Sequence, residues 1–173
     1  SIIDYKNHKL LGHINITVDS RIDKYRGLLP FGITLSKDEK RLYVALLGFN
    51  AVAVIDVPSK KTIGLIPTGW GPSRVVLSED EKELYVITCR GLGAGPDGGK
   101  GFVKPIQGTF IGDIQLGSFQ KITMPNAEEL KSFTARTIAN TFIETKMDAN
   151  VNQPFPILPG ISMMGLTLGV SRQ

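Results

Sequence analysis

Hydrophobic positions along the chain come in short runs separated by polar turns. Ile33-Thr34-Leu35 is apolar and β-branched, and Ser36-Lys37-Asp38-Glu39-Lys40 is polar and turn-forming. Leu42-Tyr43-Val44-Ala45-Leu46 returns as a strand, and Ala51 to Val57 (AVAVIDV) makes a third. Pro58-Ser59-Lys60-Lys61 is a second polar turn, Thr62 to Ile66 a fourth strand, and Thr68-Gly69 ends the unit. β-Branched and aromatic runs bounded by turn residues predict strands. Four such strands therefore make one antiparallel unit.

The unit repeats. Pro30 to Ala45 reads PFGITLSKDEKRLYVA and Pro72 to Ile87 reads PSRVVLSEDEKELYVI, at an offset of 72 − 30 = 42 residues, with nine of sixteen positions identical. Four strands in a period of about 40–45 residues are the signature of a propeller blade. A fainter copy opens the chain. Ile3-Asp4 aligns with Ile55-Asp56, and Leu11-Gly12-His13-Ile14 with Ile63-Gly64-Leu65-Ile66, at an offset of 55 − 3 = 52. The ten extra residues fall within Val18 to Leu28, which makes residues 1–17 the last half of a preceding blade. Ile111 to Leu116 and Phe119 to Thr123 are the expected third and fourth strands of the later blade.

Downstream, Pro125-Asn126-Ala127-Glu128-Glu129 reads as a helix start, with Asn126 as N-cap and Glu129 closing a capping box. Leu130, Phe133, Thr137/Ile138 and Thr141/Phe142 recur at helical spacing, which predicts a helix to about Lys146 and then a Pro/Asn-rich linker. The expected fold class is all-β, a partial β-propeller of about two to three four-stranded antiparallel blades with a C-terminal helix and a linker tail. Blades occupy 1–123 (1–29 a partial blade and insertion, 30–71 a full blade, 72–123 a blade with a glycine-rich insertion). The helix occupies 124–146 and the tail 147–173. Four to eight blades close a propeller, so this chain is an arc. Its exposed blade faces predict self-association of the isolated chain.

Composition changes little in this picture. The 19 Gly and 10 Pro suit a turn-dense chain, and a net charge of +4 reads as scattered surface lysines. The longest basic clusters, Lys40-Arg41 and Lys60-Lys61, are two residues each, which argues against nucleic acid as a partner. No membrane span or signal peptide is legible, and an opening on Ser-Ile-Ile-Asp suggests that the start is missing, processed or trimmed. The single cysteine, Cys89, excludes an intramolecular disulfide.

Leu42-Tyr43-Val44-Ala45 and Leu84-Tyr85-Val86-Ile87 resemble the tetrapeptide of YVTN-type propeller repeats, and Ala53-Val54-Ile55-Asp56 resembles the strand that follows it there. Thr68-Gly69-Trp70-Gly71-Pro72-Ser73-Arg74, then Cys89-Arg90-Gly91 and the glycine-rich run, are similar to bacterial proteins that fuse a YncE-like propeller to an alkaline-phosphatase-superfamily domain. The similarity spans about residues 1–158. It implies a periplasmic or extracellular protein with a metal-dependent phosphoesterase domain after Pro154 to Pro159. At that point the chain reads GISMMGLTLGVSRQ, so the phosphatase domain is absent and no metal-ligand set carries over.

The residues themselves argue against chemistry. Gly91 to Gly101 (GLGAGPDGGKG) contains a formal GxGxxG, but no helix follows, and Ala94 and Gly101 break a Walker A match, which leaves an inter-strand loop. His8 and His13, five apart on strand-like sequence, fall on opposite faces of a regular strand and do not share a metal. Cys89 lies beside Arg90 with no base placed nearby.

Where the two copies agree, the residue serves the blade; where they differ in kind, something local is served. Trp70 aligns with Leu28, Arg74 with Gly32 and Arg90 with Gly48, while Asn50 precedes the third strand. Asn50, Trp70, Arg74 and Arg90 are the ligand-binding candidates, because arginine and tryptophan receive anionic or aromatic groups by bidentate hydrogen bonds and stacking. Inter-blade contacts are the competing role for them. The expected function is a non-catalytic binding or scaffold module, part of a larger protein, with no metal and no cofactor. Its partners are the remaining blades or a phosphatase-type domain. The alternative is the propeller portion of a metal-dependent phosphoesterase whose catalytic domain lies elsewhere.

Overall fold

Two turns with the same hydrogen bonds show why the repeat keeps its identical residues. The Ser36 hydroxyl donates to Asp38 Oδ1 at 2.6 Å and accepts from the Arg41 amide at 2.9 Å, and Lys40 N donates to the same carboxylate at 3.0 Å. Forty-two residues on, Ser78 donates to Asp80 at 2.8 Å and accepts from Glu83 N at 3.0 Å, and Lys82 N donates to Asp80 at 3.2 Å. Glu39 and Glu81 both take a left-handed φ, 59° and 57°. Short polar side chains that bond their own backbone fix such a reversal.

The computed structural model of the chain describes residues 1–23, 27–91 and 116–141. Two compact units divide the chain, 1–142 and 143–173, and everything described lies in the first. The strands are β1 (Ile2–Asp4), β2 (Lys9–Gly12), β3 (Pro30–Leu35), β4 (Arg41–Leu46), β5 (Ala51–Asp56), β6 (Lys61–Pro67), β7 (Pro72–Leu77), β8 (Glu83–Thr88) and β9 (Ser118–Thr123). The helices are α1 (Ser20–Asp23) and α2 (Ala127–Thr141). All strand pairs are antiparallel, in sheets ordered β1-β2, β3-β4-β5-β6 and β7-β8-β9. The fold is an all-β, partial propeller-like arc with one C-terminal helix.

Blade registers repeat as the residues do. Asp4 faces Lys9, Ile3 faces Leu10 and Ile2 faces Gly12, with a register shift between Ile2 and Ile3. The same pairs and the same shift return 52 residues later, Asp56 with Lys61, Ile55 with Thr62 and Val54 with Gly64. In the later blade one expectation fails. Ser118–Thr123 pairs directly with β8, Thr88 opposite Ser118 and Glu83 opposite Thr123, so it is the third strand and not the fourth. Ser118 stands where the 42-residue period puts residue 93 (51 + 42), so 118 − 93 = 25 residues are inserted before this strand. That insertion displaced the reading of the sequence. Among the described residues this sheet has three strands. The glycine-rich run from Leu92 onward, positions 111–115, the helix beyond Thr141 and the tail lie outside the described residues. α1 was not anticipated; the Asp19 carboxylate caps it by accepting from Arg21 N at 2.9 Å, and the Arg21 side chain holds the Asp19 carboxyl down to about 2.

The central strands β4 and β5 of the four-stranded blade are buried on both faces, while β3 is largely exposed. Alternation sends Val44, Leu46, Ala51, Ala53, Ile55 and Leu65 to one side, against Ile22, Ile138 and the half-buried Ile14, Ile16, Val18 and Leu28. Tyr43, Ala45, Val52, Val54 and Ile66 go to the other, against Val75, Leu84 and Val86 of the next blade. Helix α2 closes the outer edge. Leu130 sits where a Gly64 side chain would project, with its Cγ 2.5 Å from an ideal Cβ, and the Thr134 hydroxyl accepts from Leu65 N at 2.9 Å. Covering the edge strand satisfies an amide that otherwise invites another chain.

Leu84 is completely buried between the blades and Ile87 is exposed on the far face. Leu84→Ala is therefore expected to cost about 2–5 kcal/mol and Ile87→Ala to stay within about 0.5 kcal/mol, measured by urea unfolding in dilute protein. Equal costs would contradict face-to-face packing. The Asp38, Asp56 and Asp80 carboxyls are held below the ordinary 3.8, first by the hydroxyls of Ser36, Ser59 and Ser78. Folding thus favours their ionised forms; the stabilisation is complete above pH 3.8 and is lost as pH falls through the lower folded values. Asp38→Asn with Asp80→Asn is expected to flatten the acid limb of a stability–pH curve; an unchanged limb excludes this role.

Candidate functional site

Strand register sorts the four candidate residues into two places. Asn50 ends the β4–β5 turn, Trp70 lies between β6 and β7, and Arg90 follows β8. Because Leu46 faces Ala51 and Pro72 faces Thr88, all three stand at one end of the blades. Arg74 is separate. It sits inside β7 opposite Ile87, on the sheet face turned away from the four-stranded blade.

Backbone hydrogen bonds build the first group. Arg90 N donates to Trp70 O at 3.0 Å, Trp70 N to Gly91 O at 2.7 Å and Cys89 N to Gly71 O at 2.9 Å. The earlier blade has the counterparts, Gly48 N to Leu28 O at 3.1 Å and Leu47 N to Leu29 O at 3.0 Å. The backbone is thus conserved between copies while the side chain changes. Leu28 is half-buried against the core, whereas Trp70 is 51% exposed. Gly48 lies against the Gly27 carbonyl, with no room for a side chain, and its counterpart Arg90 reaches solvent.

Asn50 has a different job. Its Oδ1 accepts from Gly71 N at 2.9 Å, its carbonyl accepts from Thr68 N at 3.0 Å, and its φ is 54°. Asparagine enters the left-handed region more readily than most residues. Asn50 therefore ties the β4–β5 turn to the next connection. Cys89 is spent locally too, its Sγ donating to Gly71 O at 3.2 Å.

Arg74 explains its own mismatch with Gly32. An ideal Cβ on Gly32 comes 2.6 Å from Ser73 O, so glycine lets β7 approach β3. On the outward face Arg74 stands at that position, exposed, and lines a cleft of about 440 Å³ with Phe31, Gly32, Ile33 and Ser73. Neither Arg74 nor Arg90 has an ion-pair partner among the described residues. His8 lies in the β1–β2 turn at φ 52°, not on a strand, which corrects the expected opposite-face placement; His13 Nδ1 is 3.1 Å from Ser1 Oγ. Among the described residues, no three His, Cys, Asp or Glu side chains gather for a metal, and no helix is long and apolar enough to cross a membrane.

A further cleft, of about 330 Å³, lies at the other end of the blades, between β4–β6 and the start of α2. Arg41, Tyr43 and Asn126 are its polar lining. Reading the sequence passed over it, although one signal was present. The tyrosine is common to both copies, but its neighbour two residues earlier changes from Arg41 to Glu83.

No family model and no curated protein sequence matches the chain. Among solved structures it is similar to the hydrazine synthase of Kuenenia stuttgartiensis, at 27% identity and a TM-score of 0.41, over 51% of this chain and 23% of that one. It is also similar to a functionally unknown protein of Desulfotomaculum acetoxidans, at 29% identity and a TM-score of 0.33, over 34% of this chain and 20% of that one. The chain thus spans less than a quarter of either protein.

These roles separate on substitution. Asn50→Ala is expected to lose about 1–2 kcal/mol, from a half-buried hydrogen bond and a strained left-handed backbone. Trp70→Ala, Arg74→Ala and Arg90→Ala are expected to stay within about 0.5 kcal/mol in thermal melts. A Trp70 or Arg90 variant as costly as Asn50→Ala would mark that residue as structural.

Proposed function

We propose that this chain is a non-catalytic binding and scaffold module, an arc of a YVTN-type, YncE-like propeller that belongs to a larger protein. Trp70 and Arg90 form its ligand-facing pair, Arg74 is a separate binding residue on the open blade face, and Asn50 holds the turn beside the pair. One observation carries this reading. At constant backbone hydrogen bonding, a core-packed Leu28 is replaced by an exposed Trp70, and Arg90 follows in place of Gly48. A half-exposed indole and an exposed guanidinium, on residues whose backbones are hydrogen-bonded, suit a flat ligand bearing an anionic group.

The scaffold role rests on two open faces. Phe31 and Ile33 of β3 are 71% and 67% exposed, and Phe119 and Ile87 of the last sheet are 66% and 49% exposed. Neighbouring blades, or a phosphatase-type domain in a periplasmic or extracellular protein, cover these faces in the parent chain. In the isolated chain a second copy takes their place, so sedimentation velocity is expected to show association that Phe119→Ser weakens. A monomer with a sharp cooperative melt contradicts that.

Trp70 is the single tryptophan, which makes it its own reporter. Phenyl phosphate is expected to quench its fluorescence saturably, and Arg90→Ala to abolish the effect. No saturable quenching would sink the binding reading. With a divalent metal added, phosphate release that tracks the purified chain would overturn the non-catalytic one.

A further inference from the structure

Blade position by position, the tyrosines Tyr43 and Tyr85 are equivalent, yet only one has a partner. Tyr85 donates its hydroxyl to Glu83 Oε2 at 2.8 Å, and Glu83 is in turn paired with Lys121 at 2.6 Å. In the earlier blade the Glu83 position holds Arg41. Tyr43 is 5% exposed, lines the cleft at the start of α2, and makes no hydrogen bond among the described residues. Its ring is buried while its hydroxyl still reaches the solvent of the cleft, since among the described residues no fully buried side-chain oxygen lacks a partner; burial pushes its pKa above the ordinary tyrosine value.

Several donors surround the same space. Arg41 uses Nη1 for Asp56 and for Lys40 O, and its Nε and Nη2 make no further hydrogen bond among the described residues. Asn126 and Glu129 cap α2 reciprocally, Glu129 N to Asn126 Oδ1 at 3.0 Å and Asn126 N to Glu129 Oε2 at 2.9 Å. The amides of Ala127 and Glu128 remain as the positive end of a fifteen-residue helix whose first residues line the cleft. The rest of the lining is apolar, with Val54, Ile66, Met124 and Leu130 forming the body of the space. A volume of about 330 Å³ is at the small end of ligand clefts.

We propose that this cleft binds a small amphipathic carboxylate, which accepts from the Tyr43 hydroxyl and the Arg41 guanidinium while its apolar body lies on Val54, Ile66, Met124 and Leu130. The ligand's carboxylate plays for Tyr43 the part that Glu83 plays for Tyr85. The site stands at the opposite end of the blades from Trp70 and Arg90, since Arg41 faces Asp56 where the far end pairs Leu46 with Ala51. It is independent of the ligand reading made there.

The test uses the full chain, with hexanoate and its neutral isostere hexanamide as probes. Binding is followed by methyl NMR of Met124, Ile63 and Ile66. Hexanoate is expected to shift these signals saturably, with hexanamide at least about tenfold weaker. Tyr43→Phe removes only the unpartnered hydroxyl, so it is expected to weaken hexanoate by about tenfold without lowering the melting temperature. Arg41→Leu is expected to weaken hexanoate and to leave hexanamide unchanged. Equal binding of acid and amide, an unaltered affinity in Tyr43→Phe, or no shift at Met124 up to about 10 mM hexanoate would each overturn the proposal.

Discussion

The structure depends on one face-to-face contact. Val75, Leu84 and Val86 of one sheet pack on Tyr43, Ala45, Val52 and Val54 of the next, and these positions alternate strictly along their strands. Full burial of a residue such as Leu84 stabilises by about 1.5–3 kcal/mol, and no single sheet here has two covered faces without its neighbours. Gly32 sets the approach at the inner edge, because any side chain there meets the backbone of Ser73. At the outer edge Gly64 has the same role toward α2, whose Leu130 and Phe133 join one core and Ile138 the other. The helix therefore holds the four-stranded blade by its rim, and both clefts are defined by where these packings end.

Much of the fold was legible because it is local. The Ser-x-Asp-Glu-Lys turns bond their own backbone, so identical residues give identical hairpins. Even the faint opening copy was readable, and its register shift returns in β5–β6 residue for residue. The third strand of the last sheet was misplaced for a non-local reason. With 25 residues inserted before Ser118, nothing near the strand indicates which neighbour it pairs with; Thr88 and Glu83 decide that through space. α1 escaped notice because four residues carry too little periodicity to show, and its Asp19 cap is a single polar residue.

The candidate site was half legible. Comparing copies found Trp70, Arg74 and Arg90 because a change of side-chain kind is visible in one dimension. It also selected Asn50, whose amide oxygen is occupied by Gly71 N and whose value is conformational. The cleft at Tyr43 was invisible for the opposite reason. Tyr43 is the same in both copies; what differs is its partner, and the helix that roofs the space lies more than eighty residues away in sequence (126 − 43 = 83 to Asn126). Identity between repeats therefore marks the blade only when the neighbours of the identical residue are also the same.

Backbone amide hydrogen exchange tests the central claim most directly, that stability radiates from the central strands β4 and β5, covered on both faces. Protection tracks local opening free energy and not solvent exposure alone. The amides of Val52 and Val54 in β5 are predicted to exchange slowest, with those of β9 faster and those of the β1–β2 hairpin fastest. Uniform protection across the three sheets, or a β1–β2 hairpin as slow as β5, would contradict the account.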